Sequence, residues 1–251
     1  MKITFLGTAP GVPVKNRRFS SVLLEVGEAL YLFDAGSGVV NTMTDMGIDV
    51  NPIRSVFITH AHLDHVNGII DLADLINWSA TFSSVSVDYY LPEAVAIDLI
   101  KNYLTTLSAP MSEKSNRFHK YGADFVYDDG DIRVTPYSNG HLAKDNRPSF
   151  SFLIECEGKR VLITGDLSGN LELGDFPSIV KRERTDVIIS ELAHFALPTV
   201  LRELEACDVG AVYFTHVKQP WIRVGEIEEA DASGKYSFPM YAPSDGDFIE
   251  L

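Results

Sequence analysis

Short apolar runs, several ending in a single histidine or acid, alternate along the chain with longer segments of helical spacing. Period-two or unbroken apolar stretches predict strands at 3–7, 20–26, 29–33, 55–59, 85–91, 124–127, 132–138, 150–155, 160–164, 187–190 and 209–215. Helical spacing predicts helices at 37–46, 65–78, 92–107, 198–207 and 223–230. Pro92 suits a helix start, where its missing N–H is not needed. Residues 108–121 carry the least pattern and are read as a mobile loop near the rim of the site, with His119 on the surface. Strands mixed with helices, and no polar linker or repeat, predict one α/β domain over residues 1–251.

The most informative segment is Thr59-His60-Ala61-His62-Leu63-Asp64-His65, which follows the apolar run at 55–58. Three imidazoles and a carboxylate at the end of a buried strand need a binding partner, and a divalent metal accepts both donor types. In extended chain His60 and His62 lie on one side and reach one ion. A turn at Leu63-Asp64 then aims Asp64 and His65 at a second.

A binuclear site needs further ligands, and they follow later strands singly. Asn139-Gly140-His141 comes after 131–137, Thr164-Gly165-Asp166 after 161–163, and Thr215-His216 after 211–214. Each would pass alone as an ordinary turn or surface residue. Their shared placement at strand ends, where scaffolds present chemistry, makes them candidates together.

With these residues in place, the chain resembles the metallo-β-lactamase-fold metal-dependent hydrolases from its first strand to its last residue. The resemblance implies a four-layer αββα sandwich with two mixed β-sheets. It also implies that His60, His62 and His141 hold one metal, that Asp64, His65 and His216 hold the second, and that Asp166 bridges them. The donors are all nitrogen and oxygen, which suits two zinc ions and is compatible with manganese or iron.

The opening Phe5-Leu6-Gly7-Thr8-Ala9-Pro10-Gly11-Val12-Pro13, with Arg17-Arg18-Phe19-Ser20-Ser21, is similar to the ribonuclease Z and phosphonate-pathway phosphodiesterase branch. A strand, a Gly/Pro turn and a second strand account equally for the same residues. Phe33-Asp34-Ala35-Gly36-Ser37-Gly38 follows, and Asp34 is expected to orient one of the loop histidines. The tail Asp245-Gly246-Asp247-Phe248-Ile249-Glu250-Leu251 resembles the closing hairpin of the same branch, though Asp-Gly is a general turn signal.

That branch carries an extra histidine 22 residues before its last metal ligand, which here is His194, with an acid after the preceding strand, here Glu191. The resemblance implies a proton donor, because a neighbouring carboxylate fixes the tautomer of an imidazole and raises its pKa. A capping role at the following helix is the alternative. Asp64, His194 and Glu191 are therefore the candidate catalytic residues.

Charge bears on partners. The 251 residues carry a formal net charge of −14. The densest basic stretch, Lys181-Arg182-Glu183-Arg184, is interrupted by an acid and reads as a solvated helix end. Nucleic-acid binding needs basic surface, and the gaps from His141 to Asp166 and from Asp166 to Glu191 are 25 residues each. Neither holds the tRNA-gripping arm that ribonuclease Z inserts there, so a small anionic substrate is expected rather than nucleic acid. Lys218 and Arg147 are near enough in sequence to touch such an anion but read as solvated, while Tyr137 and Trp221 read as core.

The first residues show no leader pattern and no run approaches the length of a membrane span, so a cytoplasmic protein without membrane contact is expected. Cys156 and Cys207 are read as free buried thiols. A homodimer is an open expectation. The leading function is two-metal hydrolysis of a small phosphodiester, of cyclic-nucleotide or phosphoribosyl type, by a metal-activated hydroxide. The alternatives are a carboxyl-ester or lactone hydrolase, a tRNA 3′-processing endonuclease, and a non-hydrolytic metal-binding or redox protein.

Overall fold

The computed structural model describes residues 1–78, 85–108, 112–171 and 174–251. The chain divides into two compact units, Met1–Tyr121 with Ser244–Leu251, and Gly122–Pro243. Each carries its own seven-stranded mixed sheet.

The first sheet contains β1 (Lys2–Gly7), β2 (Ser21–Val26), β3 (Ala29–Phe33), β4 (Ile53–Phe57), β5 (Val87–Leu91), β6 (Asn116–Lys120) and, beside β1, β14 (Phe248–Glu250). Pairing is antiparallel from β14 to β3 and parallel from β3 to β6. Every residue of β3 is buried, as its unbroken Ala-Leu-Tyr-Leu-Phe requires. Helices α1 (Val39–Asp45), α2 (Leu63–Val66), α3 (Gly68–Trp78) and α4 (Ala94–Leu107) complete this unit. Its core includes Leu32, Val56, Ile69, Leu72, Val87 and Leu104.

The second sheet runs from β7 (Tyr127–Asp128) through β8 (Arg133–Ser138), β9 (Phe150–Cys156), β10 (Lys159–Ile163), β11 (Thr185–Leu192) and β12 (Val209–Val217) to β13 (Met240–Tyr241). Here the β7–β10 pairings are antiparallel and the β10–β13 pairings parallel. Helices α5 (Leu197–Leu204) and α6 (Pro220–Ala232) follow β11 and β12. Leu162, Ile188, Val200, Leu204, Val212 and Phe214 lie in its core.

Several sequence expectations need correction. Residues 116–120, expected in a mobile loop, form the edge strand β6, while 109–111 lie outside the described residues. The strand is hidden by its polar composition. Asn116 is nonetheless buried, accepting from Tyr89 Oη (2.9 Å) and donating to Ala73 O (3.1 Å). His119 is half-exposed and sits 2.6 Å from Asp88. Trp221, expected in the core, is 74% exposed because α6 buries only Pro220 and Ile227; Tyr137 is half-buried. The 181–184 stretch is exposed and ion-paired, for instance Arg184 to Asp208 at 2.8 Å. Cys156 and Cys207 are both free, the first buried and the second half-buried.

Candidate metal centre

In both units several chemistry-bearing residues stand at the carboxyl ends of strands that have a parallel neighbour, the usual place for function on an α/β sheet, whereas His141 follows the antiparallel strand β8. Asp34 follows β3 and Thr59-His60 follow β4. Asp166 follows β10, Glu191 is the penultimate residue of β11, and His216 the penultimate residue of β12.

In the first unit, Asp34 organises the loop. Its Oδ1 accepts the Thr59 N–H at 2.8 Å, and the Thr59 hydroxyl lies 3.0 and 2.9 Å from its two oxygens. Its Oδ2 stands 2.8 Å from His65 Nδ1. A carboxylate oxygen accepts, so Nδ1 carries the hydrogen and Nε2 is the donor atom left to a metal. Asp34 is buried and adopts φ 56°, a left-handed conformation that aspartate tolerates better than most residues. The Thr59 hydroxyl also meets His60 Nδ1 at 3.1 Å.

His60 and His62 rings lie 4.7 Å apart, and His60 and His65 rings 4.2 Å apart. Helix α2 begins one residue after His62, so its first turn carries Asp64 and His65. Their Oδ2 and Nε2 are 3.5 Å apart. Close backbone approach makes this packing possible. A Cβ on Gly36 would stand 2.6 Å from Asp64 O, and one on Gly11 would stand 2.9 Å from Asp64 Oδ2.

In the second unit, Asp166 is the focus. Its Oδ2 lies 3.3 Å from His216 Nε2 and 3.7 Å from His141 Nε2. All three side chains are almost wholly buried. His216 reaches this position through a bulge: β11 and β12 pair Glu191 with Thr215 and then Leu192 with Val217, leaving His216 as the extra residue at φ 50°. Burial holds the His141 ring below the ordinary histidine range, against the opposing influence of Asp166. The neutral ring is the form that binds metal.

Glu191, also buried, is a second organiser. It accepts the N–H groups of Leu167 (2.8 Å), Ala193 (2.7 Å) and His194 (3.0 Å), and stands 2.8 Å from His194 Nδ1. The His194 ring, about one-third exposed, lies 4.8 Å from the His141 ring and 6.0 Å from that of His216.

The donor spacings fit a metal. Two ligand atoms about 2.1 Å from one ion at near-tetrahedral angles lie about 3.4 Å apart. The separations of 3.3 to 3.7 Å in the Asp64–His65, Asp166–His216 and Asp166–His141 pairs match that value better than the roughly 2.8 Å of a charge-assisted hydrogen bond. One Asp166 oxygen thus stands near a donor nitrogen of each of two histidines. Two further residues, Thr59, which ties Asp34 to His60, and Asp175, which contacts the loops bearing His141 and Asp166, support the site without a sequence signal of their own. Both look in sequence like ordinary strand-end or turn residues.

Fold and side chains together define the class: a metallo-β-lactamase-fold protein whose side chains could hold metal. The model of the family described as anti-Pycsar protein Apyc1 matches residues 1–201, and the chain belongs to that family. His216 lies beyond the matched residues. Among curated relatives, a ribonuclease Z from Synechococcus sp. (strain CC9311) is 33% identical over 193 residues, covering 75% of this chain and 59% of the relative. The first curated relatives have only 42–67% of their length spanned by the chain. Among solved structures, the metallo-β-lactamase fold protein YhfI from Bacillus subtilis superposes with a TM-score of 0.77 at 19% identity, covering 100% of this chain and 99% of that one. The short form of human tRNase Z gives 0.76 at 21% identity, with the same coverage. Among the described residues, no helix is long and apolar enough to cross a membrane.

Proposed function

We propose that this protein is a two-metal phosphodiesterase for a small anionic diester, of cyclic-nucleotide or phosphoribosyl type. In this reading residues 1–251 act as one domain. His60, His62 and His141 would hold one ion, Asp64, His65 and His216 the other, and Asp166 would serve both. Such a pair of divalent ions would supply a water of lowered pKa, about 7, and screen charge on the phosphoryl oxygens. Asp64 accepts a hydrogen bond from the attacking water and sets its direction. His194 delivers a proton from Nε2 to the departing alkoxide, and Glu191 fixes its tautomer through Nδ1. The metals are zinc in this reading, with manganese or iron as substitutes.

The observation that carries the proposal is the His194–Glu191 contact of 2.8 Å beside Asp166. Hydrolysis of an ester with a poor leaving group needs a positioned acid, and this pair supplies one. The net charge of −14 favours a small anion over a polyanion.

A second reading, a ribonuclease Z-type endonuclease, is favoured by the 33% identity to a protein of that name. The two are separated by assaying metal-loaded protein on bis-p-nitrophenyl phosphate, p-nitrophenyl acetate, a lactone and a precursor tRNA. Turnover confined to the small phosphodiester supports the first reading, and tRNA cleavage alone replaces it with the second. Turnover confined to the acetate or lactone makes the protein a carboxyl-ester hydrolase instead, and purified iron without any turnover makes it a redox or binding protein. A homodimer is part of this reading, and a monomer by light scattering at micromolar concentration overturns it.

A further inference from the structure

Asp175 has no part in the ligand set, yet it spans two of the loops that carry it. Its Oδ1 accepts the N–H of Gly140 at 2.9 Å, and Gly140 immediately precedes His141. Its Oδ2 accepts the N–H of Ser168 at 2.7 Å, two residues after Asp166. The side chain belongs to a residue only 7% exposed, as does that of Ser168. Two oxygens of one rigid carboxylate therefore bind one amide from each ligand loop.

The other links between the two loops are longer. His141 Nδ1 lies 3.3 Å from Leu167 O, and Asn139 Nδ2 lies 3.4 Å from Thr164 O. Charge-assisted bonds from amides to a carboxylate are the shorter and stronger kind. Glu191 continues the linkage, since it takes the Leu167 N–H between Asp166 and Ser168 and then holds His194. A connected path thus runs from His141 through Asp175 and Glu191 to His194.

We propose that Asp175 is a positioning residue that sets the separation of His141 and Asp166, and so the affinity for the ions they hold. The inference rests on the two-metal reading above. Asparagine cannot replace it, because one of its two terminal atoms would present N–H to N–H. Supporting groups of this kind change metal affinity by about 10- to 100-fold.

The test is a chelator-competition titration with Zn²⁺, paired with the absorption spectrum of Co²⁺-loaded protein, on wild type, Asp175→Ala, Asp175→Asn and Asp186→Ala. Asp186 is the control, since its Oδ2 accepts the Arg160 N–H at 2.9 Å, the same kind of bond away from the ligand loops. Both Asp175 variants are expected to weaken Zn²⁺ binding at least tenfold and to shift the Co²⁺ bands, while Asp186→Ala leaves both as in wild type. Wild-type affinity and spectrum in Asp175→Ala overturn the inference while leaving the two-metal reading intact. So does an equal loss in Asp186→Ala, which would make the effect one of general stability. Wild-type protein that binds no metal overturns the two-metal reading itself, and this inference with it.

Discussion

Nδ1 of His194 stands 2.8 Å from Oε1 of Glu191, and the same carboxylate accepts the backbone N–H groups of residues 167, 193 and 194. The glutamate is thus fixed by the backbone before it fixes the ring. As a proton donor, His194 matters in proportion to the basicity of the leaving group. His194→Ala should lose roughly 10²- to 10⁴-fold in kcat on an alkyl phosphodiester. It should lose little on a p-nitrophenyl ester, whose phenolate needs no proton. Steady-state rates on both substrates decide this, and an equal loss would assign His194 to structure or binding.

Asp34 holds His65 through Nδ1 and the 59–60 turn through Thr59. Asp34→Ala should therefore lower metal occupancy, with affinity falling about 10- to 100-fold. Elemental analysis after dialysis against a weak chelator reads this directly. Full occupancy in the variant would reject the orienting role.

Gly11→Ala would place a Cβ 2.9 Å from Asp64 Oδ2. The far end of an aspartate side chain moves cheaply, so the melting temperature of metal-free protein should change by no more than a degree or two. As a metal ligand Asp64 would have less freedom, and a misplaced catalytic group can cost about 10²-fold. Unfolding and activity measured on the same preparation separate the two effects. An unchanged rate would show that Asp64 tolerates displacement.

Burial alone would raise the Asp88 pKa, but hydrogen bonds from Arg117 and His119 outweigh it and hold the carboxyl below its ordinary value. The folded pKa thus lies below the unfolded one. Asp88 contributes stability above the ordinary carboxylate value of about 3.9 and loses it as pH falls through the folded value. Urea unfolding between pH 5 and pH 2 should show a shallower acid decline in Asp88→Asn than in wild type. Parallel declines would remove Asp88 from the account.

The candidate metal ligands could be picked out because several histidines and aspartates recur together at strand ends, although each alone would pass as an ordinary turn residue. The His60 and His62 rings do come together, but the chain bends at 59–60 rather than running on extended as their alternate spacing suggests. His216 was legible as a residue but not as a geometry, since a bulge and a positive φ leave no mark in Thr-His-Val. Asp34, read from resemblance as a supporting carboxylate, does hold His65. Asp175 was invisible because Gly174-Asp175-Phe176 looks like any turn, and its role depends on two amides distant in sequence. Strand β6 escaped because its buried polar residue, Asn116, is satisfied only by tertiary partners. Trp221 misled in the other direction, as an aromatic side chain on the outer face of α6.

The proposed function requires a two-ion centre on seven ligands that can bind a phosphodiester. Anomalous diffraction from crystals grown with Zn²⁺ and inorganic phosphate tests it most directly. The account predicts two peaks about 3.5–4 Å apart, the first within ligand distance of His60, His62 and His141, the second of Asp64, His65 and His216. Asp166 should contact both, with phosphate oxygens spanning the pair. A single peak, or two peaks on other residues, would contradict it.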